Sequence, residues 1–146
     1  YCPAADLYID PTRPVPRALI THGHSDHARA GHGSVLATPE TLAIMAARYG
    51  ETFAKSTQAL AYGERLKIGD VTFSLHSAGH VLGSAQAAAE CGGTRVVASG
   101  DYKRQFDPTC APFEVVPCDV FITEATFALP VFTHPTAENE VKKLLA

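Results

Sequence analysis

The run Thr21-His22-Gly23-His24-Ser25-Asp26-His27 decides how this chain is interpreted, because residues 22–27 hold three imidazoles and one carboxylate. In an extended loop, alternate side chains point the same way, so His22 and His24 can bind one cation together. Asp26 and His27 leave in another direction as the chain turns, and they can reach a second cation beside the first. This spacing predicts a site for two ions rather than a single structural ion.

A plainer interpretation of the same run is a group of polar side chains in a surface loop, with Asp26 acting only as a helix cap. That interpretation accounts poorly for three neighbouring histidines, since protonated imidazoles repel one another and folding does not require them. We therefore favour metal binding. Imidazole together with carboxylate suits zinc, with manganese as the alternative.

Two cations need further ligands, and two later segments provide candidates. His80 lies in the segment Ala78-Gly79-His80-Val81-Leu82-Gly83-Ser84, and Asp101 lies in Ser99-Gly100-Asp101-Tyr102. Each follows a predicted strand, so both side chains stand in loops that a sheet anchors. A carboxylate such as Asp101 can bridge two cations held about 3.5–4 Å apart. Either segment alone is a weak signal, but in this order after the histidine run the two favour a dinuclear site.

The remaining patterns predict a mixed α/β domain. Apolar or alternating stretches indicate strands at 7–9, 17–21, 35–37, 71–75, 85–91, 94–99 and 120–123, with Gly92-Gly93 as a hairpin turn. A helix is predicted to start at Pro39 after the cap Thr38 and to stop at Gly50, and a second helix covers 136–146 with a supporting Glu138/Lys142 pair. Strands and helices in this arrangement favour helices packed on sheet faces.

Composition narrows the class further. The chain has 146 residues, 46% hydrophobic and 18% charged, with a net charge of −3, which predicts one globular domain or a piece of one without a basic surface for nucleic acid. The four cysteines form no C-x-x-C pair, which favours free thiols in a reducing, cytoplasmic compartment. No apolar run is long enough to span a membrane. The chain opens at Tyr1 and stops at Ala146 inside a helical pattern, so we expect it to be truncated at both ends.

The motif order resembles that of the metallo-β-lactamase superfamily: Asp10, the histidine run, Gly79-His80 and Gly100-Asp101 match its first four motifs in sequence. The segment Phe121-Ile122-Thr123-Glu124-Ala125-Thr126-Phe127 is similar to the acidic motif of the β-CASP nuclease branch. Within that branch, the chain looks most like the bacterial ligase-associated DNA exonucleases, which are often described as similar to mRNA 3′-end processing exonucleases. The segments that carry this closer similarity are Tyr1-Cys2-Pro3, 79–85 and Gly100-Asp101-Tyr102-Lys103.

The resemblance implies a fold and a set of roles. The fold is an αββα sandwich, with residues 1–146 as its N-terminal half and with the β-CASP cap and the C-terminal return absent. His22, His24 and His80 are implied to bind one zinc, Asp26 and His27 the other, and Asp101 to bridge them. Asp10 supports the histidine loop, and Asp26 and Glu124 take part in catalysis, Glu124 by orienting a histidine general acid. His32, His76 and His134 are assigned no role.

The implied activity is phosphodiester hydrolysis by a hydroxide that two zinc ions activate, in a DNA 3′-end processing exonuclease concerned with DNA repair. DNA is the preferred substrate and RNA the alternative, and a DNA ligase and a helicase are the implied protein partners. The general acid and the last zinc ligand of such enzymes lie beyond the matched motifs, so we expect the isolated chain to cleave DNA poorly or not at all. Two alternatives stay open: a thioesterase or lactonase acting on small molecules, and an inactive fragment that serves only as a binding module.

Overall fold

The first sheet consists of four parallel strands. In a computed structural model that describes residues 1–126, 128–129, 131–132 and 135–146, a 3-10 helix at Pro3–Ala5 precedes these strands. They follow one another in chain order: β1 (Tyr8–Ile9), β2 (Arg17–Leu19), β3 (His32–Ala37) and β4 (Ala54–Ala59). The helix α1 (Pro39–Tyr49) connects β3 to β4. A helical crossover of this kind is what two neighbouring parallel strands require.

The second sheet is mixed. Its five strands also follow chain order: β5 (Arg65–Ile68), β6 (Val71–Ser77), β7 (Ala85–Cys91), β8 (Thr94–Ala98) and β9 (Val120–Ile122). Neighbours from β5 to β8 are antiparallel, whereas β8 and β9 run parallel. The helix α2 (Ala137–Leu145) follows β9, and its residues from Glu138 onward are exposed.

Alternation along β2 and β3 separates two hydrophobic cores. Leu19 and Leu36 point toward the second sheet, where they pack with Phe73 and Leu75. Their neighbours in sequence point the other way and pack against α1, which contributes the buried Met45. The layers therefore run helix, sheet, sheet, because successive side chains of a strand face opposite sides. This order confirms the predicted α/β class and accounts for three consecutive layers of the expected αββα sandwich.

Most predicted elements are confirmed, with shifted ends. The helix α1 starts at Pro39 as predicted, since the hydroxyl of Thr38 accepts a hydrogen bond from the Thr41 amide at 3.2 Å, and it ends before Gly50, whose φ is +85°. The predicted Glu138–Lys142 pair forms at 2.7 Å. The prediction missed β4 and β5 as strands. The side chains of β4 are largely exposed, so it lacks the alternation that marks a half-buried strand. β5 does alternate between exposed and half-buried positions, but over only four residues.

Candidate metal centre

The three segments predicted to carry ligands meet at one end of the two sheets. The histidine run follows β2, His80 follows β6, and Asp101 follows β8. The segments are joined at backbone level, since the Ala85 amide donates to the Thr21 carbonyl at 2.8 Å. Gly100 also approaches Thr21 so closely that a Cβ there would lie 2.7 Å from the Thr21 hydroxyl. The strands therefore position all three ligand segments on rigid backbone.

Four of the predicted ligands form one cluster. The ligand atoms of His22, His24, His80 and Asp101 all lie within 4.8 Å of one another. His24 Nδ1 lies 3.1 Å from His22 Nε2 and 3.2 Å from His80 Nε2. Asp101 Oδ2 lies 3.8 Å from His22 Nε2 and 3.7 Å from His80 Nε2. The structure thus brings together residues that are up to 79 positions apart in sequence, from His22 to Asp101.

This spacing fits a divalent cation. Nitrogens that bind zinc tetrahedrally at about 2.0–2.1 Å lie about 3.3–3.4 Å from one another, so the two nitrogen separations above are close to the required ones. Three imidazoles and one carboxylate also form a donor set suited to zinc. The side chain of His22 is fully buried, whereas those of His80 and Asp101 are 25% and 31% exposed, so the cluster is anchored inside and open to solvent on one side.

The two oxygens of Asp101 face different groups. Oδ2 points toward the cluster just described, whereas Oδ1 lies 3.4 Å from His27 Nε2. His27 Nε2 in turn lies 3.7 Å from Asp26 Oδ2, and the Asp26 side chain is 73% exposed. The predicted ligands thus fall into two groups, with the Asp101 carboxylate between them. One carboxylate that faces two sets of donors is the arrangement that two neighbouring cations require.

Asp10 and Thr21 orient two of the histidines. One Asp10 oxygen accepts a hydrogen bond from the Thr21 amide at 2.8 Å, and the other accepts from the Thr21 hydroxyl at 2.6 Å and from His27 Nδ1 at 2.9 Å. Because the Thr21 hydroxyl donates to Asp10, it accepts from His22 Nδ1, which lies 3.1 Å away. Both imidazoles then carry their proton on Nδ1, and both Nε2 lone pairs face the cluster, as metal binding requires.

Asp10, His22 and His27 also lie within 4.8 Å of one another. Short hydrogen bonds already satisfy their facing atoms, so we interpret this group as the support of the metal centre and not as an additional ion site. Asp10 itself has a φ of +46°, a left-handed conformation that aspartate tolerates better than most residues. The supporting role that the resemblance implies for Asp10 requires contacts of this kind, and it stays a prediction.

Electrostatics keeps the cluster ready for a cation. Burial, helped by the neighbouring His27, lowers the pKa of His22 to about 4, so its imidazole is neutral near pH 7. Burial also lowers the pKa of His80. In contrast, the hydrogen bond to Asp10 raises the pKa of His27. The depressed pKa values favour the unprotonated imidazoles that bind metals.

Glu124 lies beside the cluster without belonging to it. Its backbone amide lies 3.4 Å from the Ser99 hydroxyl, and its carboxylate accepts from the Thr126 amide at 3.2 Å. Burial is the largest single influence and raises the pKa of this carboxyl, but hydrogen bonds from Thr126 and from the Tyr102 backbone, together with the nearby His80, outweigh it, and the resulting pKa lies below the ordinary value. Phe127, the last residue of the predicted acidic segment, lies outside the described residues.

The remaining histidines are not ligands of this cluster where the structure describes them. His32 is buried and its Nδ1 accepts from the Val15 amide at 3.2 Å. His76 lies between the Ser74 hydroxyl, at 3.0 Å, and the Glu114 carboxylate, at 2.8 Å. These hydrogen bonds give His32 and His76 structural roles, and the sequence had assigned neither of them to the metal site. His134 lies outside the described residues.

Sequence reasoning gave no role to Thr21 or Ser84, although both organise the site. The buried Ser84 hydroxyl accepts from the backbone amides of His80 at 3.0 Å and Val81 at 3.2 Å, and so fixes the turn that presents His80. Small hydroxyl residues often bond to nearby backbone amides in turns. The sequence signals for these two roles were the position of Ser84, four residues after His80, and that of Thr21, directly before the first candidate ligand His22.

Comparison with known proteins places these features in context. No family model matches the chain. A protein named probable DNA ligase from Opitutus terrae is 31% identical over 137 residues, covering 92% of this chain and 13% of that protein. Endoribonuclease YSH1 from Eremothecium gossypii is 31% identical over 127 residues, covering 86% of this chain and 15% of that protein. The chain therefore spans only a small part of the length of these relatives.

Among solved structures, a protein of unknown function from Enterococcus faecalis aligns with a TM-score of 0.49 and 14% identity over 60% of this chain and 25% of that one, a likeness too partial to define the fold. The fold and site themselves define a two-sheet protein with a candidate metal centre at its strand ends. With the motif series and the curated relatives, the chain belongs to the metallo-β-lactamase superfamily and, within it, to the β-CASP branch. The resemblance drawn from the motifs is confirmed.

Two smaller expectations concern cysteines and membranes. All four cysteines are unpaired, as the sequence predicted. Within the described residues, neither α1 nor α2 has the length and apolar character that a membrane-crossing helix needs.

Proposed function

We propose that this chain is the metal-binding part of a nucleic-acid hydrolase that processes 3′ ends of DNA as an exonuclease. In this proposal residues 1–146 form a metallo-β-lactamase-like unit of a longer enzyme. The observation that carries the proposal is the Asp101 carboxylate, whose two oxygens face two separate groups of donors. The two relatives, named as an endoribonuclease and a probable DNA ligase, favour nucleic acid over a small molecule as the substrate.

The chain's own residues have separate tasks in this proposal. His22, His24 and His80 would hold one cation, Asp26 and His27 would hold the second, and Asp101 would contribute an oxygen to each. When bound, the cations, zinc first and manganese as the alternative, supply the Lewis acidity that activates water and offsets phosphate charge. That contribution matters because a net charge of −3 gives the chain no basic field of its own for phosphates.

Other residues set orientation and protonation. Asp10 keeps the proton of His27 on Nδ1, and Thr21 does the same for His22, so the ligand atoms stay unprotonated. Glu124 is the proposed partner of a proton donor that protonates the leaving oxygen. Its pKa below the ordinary value keeps it ionised at neutral pH, as a group that orients a histidine by hydrogen bonding must be.

Metal analysis tests the site itself. We expect the purified protein to contain zinc, and we expect His22→Ala and Asp101→Ala to lose most of it, because each removes a donor from the cluster. His76→Ala and Asp70→Ala are the matched controls, since neither residue belongs to the described donor groups. Unchanged metal content in both cluster variants would show that His22 and Asp101 do not bind the metal.

Labelled oligonucleotides test the activity. In the longer enzyme that contains these residues, release of mononucleotides from 3′-labelled DNA, lost in Asp101→Ala and kept in Asp70→Ala, is the expected result, whereas the isolated chain should cleave DNA poorly or not at all. Internal cleavage of RNA in place of this would make the protein an endoribonuclease. Hydrolysis of a thioester with no cleavage of either nucleic acid would refute the nuclease proposal. One relative's name also suggests that a DNA ligase is the functional partner, and co-purification of the two activities checks that suggestion.

A further inference from the structure

One face of α1 contacts both histidine loops of the metal centre. Thr41, Ile44 and Arg48 are spaced at i, i+3 and i+7, which places them on a single side of a helix. The adjoining side, through Leu42, Met45 and Ala46, packs on the first sheet. The seven residue-to-residue steps from Thr41 to Arg48 rise about 10 Å along the helix axis. The two ends of this face therefore reach two different loops.

At its C-terminal end, α1 holds the loop of the histidine run. The Arg48 guanidinium donates a hydrogen bond to the Gly23 carbonyl, between His22 and His24. The Tyr49 hydroxyl donates to the Ala28 carbonyl at 2.9 Å, directly after His27. These two contacts enclose the loop segment that carries His24, Asp26 and His27.

At its N-terminal end, α1 holds the loop of His80. The hydroxyls of Thr38 and Thr41 both donate to the Gly83 carbonyl, at 2.7 and 3.1 Å. Both threonines are fully buried, so these hydrogen bonds are shielded from water. Thr38 also caps the helix, which ties the loop contact to the start of α1.

The two loops approach α1 through glycines. A Cβ on Gly23 would lie 2.7 Å from Ile44 Cγ2, and a Cβ on Gly83 would lie 2.9 Å from both the Thr38 hydroxyl and the Thr41 amide. Any larger residue would push the loop away from the helix. Each loop therefore has a glycine where it meets α1, and in each loop a ligand histidine stands within three positions of that glycine.

We propose that α1 is a spacer that fixes the separation of the two histidine loops, with Thr41 and Arg48 as its positioning residues. This rests on the proposed metal centre. Metal sites lose function when ligands move by about 0.5 Å from the productive geometry. The separation of His24 and His80 ring nitrogens, 3.2 Å, depends on two loops that belong to different sheets. Besides the backbone hydrogen bond between Ala85 and Thr21, the helix is a rigid element that contacts both of them.

Isosteric variants at both ends of α1 test the proposal. Thr41→Val removes one hydroxyl donor without changing shape, Tyr49→Phe does the same at the other end, and Arg48→Met removes the guanidinium. We expect each of Thr41→Val and Arg48→Met to weaken zinc binding about tenfold, by analogy with partners that orient metal ligands, and we expect the double variant to bind more weakly still. The cobalt absorption spectrum should change as well, since it reports ligand geometry.

Separate control variants test whether a loss of affinity comes from the change in charge or from misfolding. Arg48→Met removes a positive charge, which alone would strengthen cation binding, so weaker binding identifies positioning and not electrostatics. Thr41→Ser and Arg48→Lys keep a donor at each end and should restore most of the affinity. Thr57→Val and Arg13→Met are the surface controls, because both residues are exposed. If Arg48→Met fails to fold, Tyr49→Phe and Arg48→Lys decide the question at that end.

The possible results distinguish failure of the spacer role of α1 from failure of the proposed metal centre. If the wild-type protein binds no zinc or cobalt, the proposed metal centre itself fails. If the wild type binds and the variants match it in affinity and spectrum, only the spacer role of α1 is refuted. Weaker binding with an altered spectrum, at unchanged thermal stability of the metal-free protein and with rescue by Thr41→Ser, supports the spacer.

Discussion

Replacing Asp10 with asparagine changes the metal centre without touching a ligand. Asparagine has the same shape as aspartate and tolerates the φ of +46° found at this position, so the backbone should not move. What changes is hydrogen bonding. The oxygen that accepts from the Thr21 hydroxyl at 2.6 Å and from His27 Nδ1 at 2.9 Å becomes an amide nitrogen, which only donates.

The consequence extends to two histidines. Because the asparagine amide nitrogen is a donor, Nδ1 of His27 has to accept a hydrogen bond. The proton of His27 then moves to Nε2, the nitrogen that faces Asp101. The Thr21 hydroxyl, now accepting from the new amide, turns its proton toward His22 Nδ1 and forces the same switch there. Loss of one such orienting partner lowers metal affinity about 10–100-fold, or about 1.4–2.7 kcal/mol. Because two histidines are affected here, we expect the upper part of that range.

Zinc affinity, measured by competition with a chelator, is the assay, and nitrogen NMR of the imidazoles in the metal-free protein reports the position of each proton. Asp6→Asn is the matched control. Asp6 has the same φ of +46°, but its carboxylate contacts Tyr1 and Arg17 outside the site. If Asp10→Asn binds zinc as tightly as the wild type, and both histidines keep their proton on Nδ1, the described support of the centre is wrong.

Three further results are expected. Gly100→Ala should destabilise the protein by about 1–3 kcal/mol more than Gly92→Ala in urea unfolding, because both glycines have a φ of +56° and only a Cβ at Gly100 would meet Thr21, at 2.7 Å. Metal-free protein should lose up to about 3 kcal/mol of stability as the pH falls from 6.5 to about 4, since burial lowers the pKa of His22 to about 4 while the unfolded chain binds the proton near 6.5. The raised pKa of His27 changes stability chiefly above pH 6.5, where the folded state binds the proton before the unfolded chain does, so it leaves this window nearly unaffected. A flat stability profile between pH 6.5 and about 4 would contradict the assignment. Chelation should lower the melting temperature, because zinc at a hundredfold excess over its Kd contributes about 2.7 kcal/mol, and His22→Ala should show no such response.

The residues of the candidate cluster could be predicted from the sequence because their chemistry is local. Residue type and spacing in the run 21–27 favoured a metal site, and the glycines beside His80 and Asp101 indicated close packing at loops; the structure brings His22, His24, His80 and Asp101 together. The support of the site could not be predicted in the same way. The contacts of Thr21 with Gly100 and Ala85 join three strands from two sheets, and pairing of that kind is set by tertiary packing, which leaves no periodic pattern in the sequence.

The geometry of the cluster implies that Asp101 does not hold His22 and His27 in place. Because His22 and His27 each carry their proton on Nδ1, their Nε2 atoms are acceptors that face the Asp101 carboxylate, which is also an acceptor. Acceptors at 3.4–3.8 Å repel in the absence of a shared proton or cation. The arrangement must therefore be maintained from outside, by Asp10 and Thr21 behind the histidines and by α1 beside the loops. A bound cation would relieve this repulsion. We therefore expect metal binding to increase the stability of the folded state.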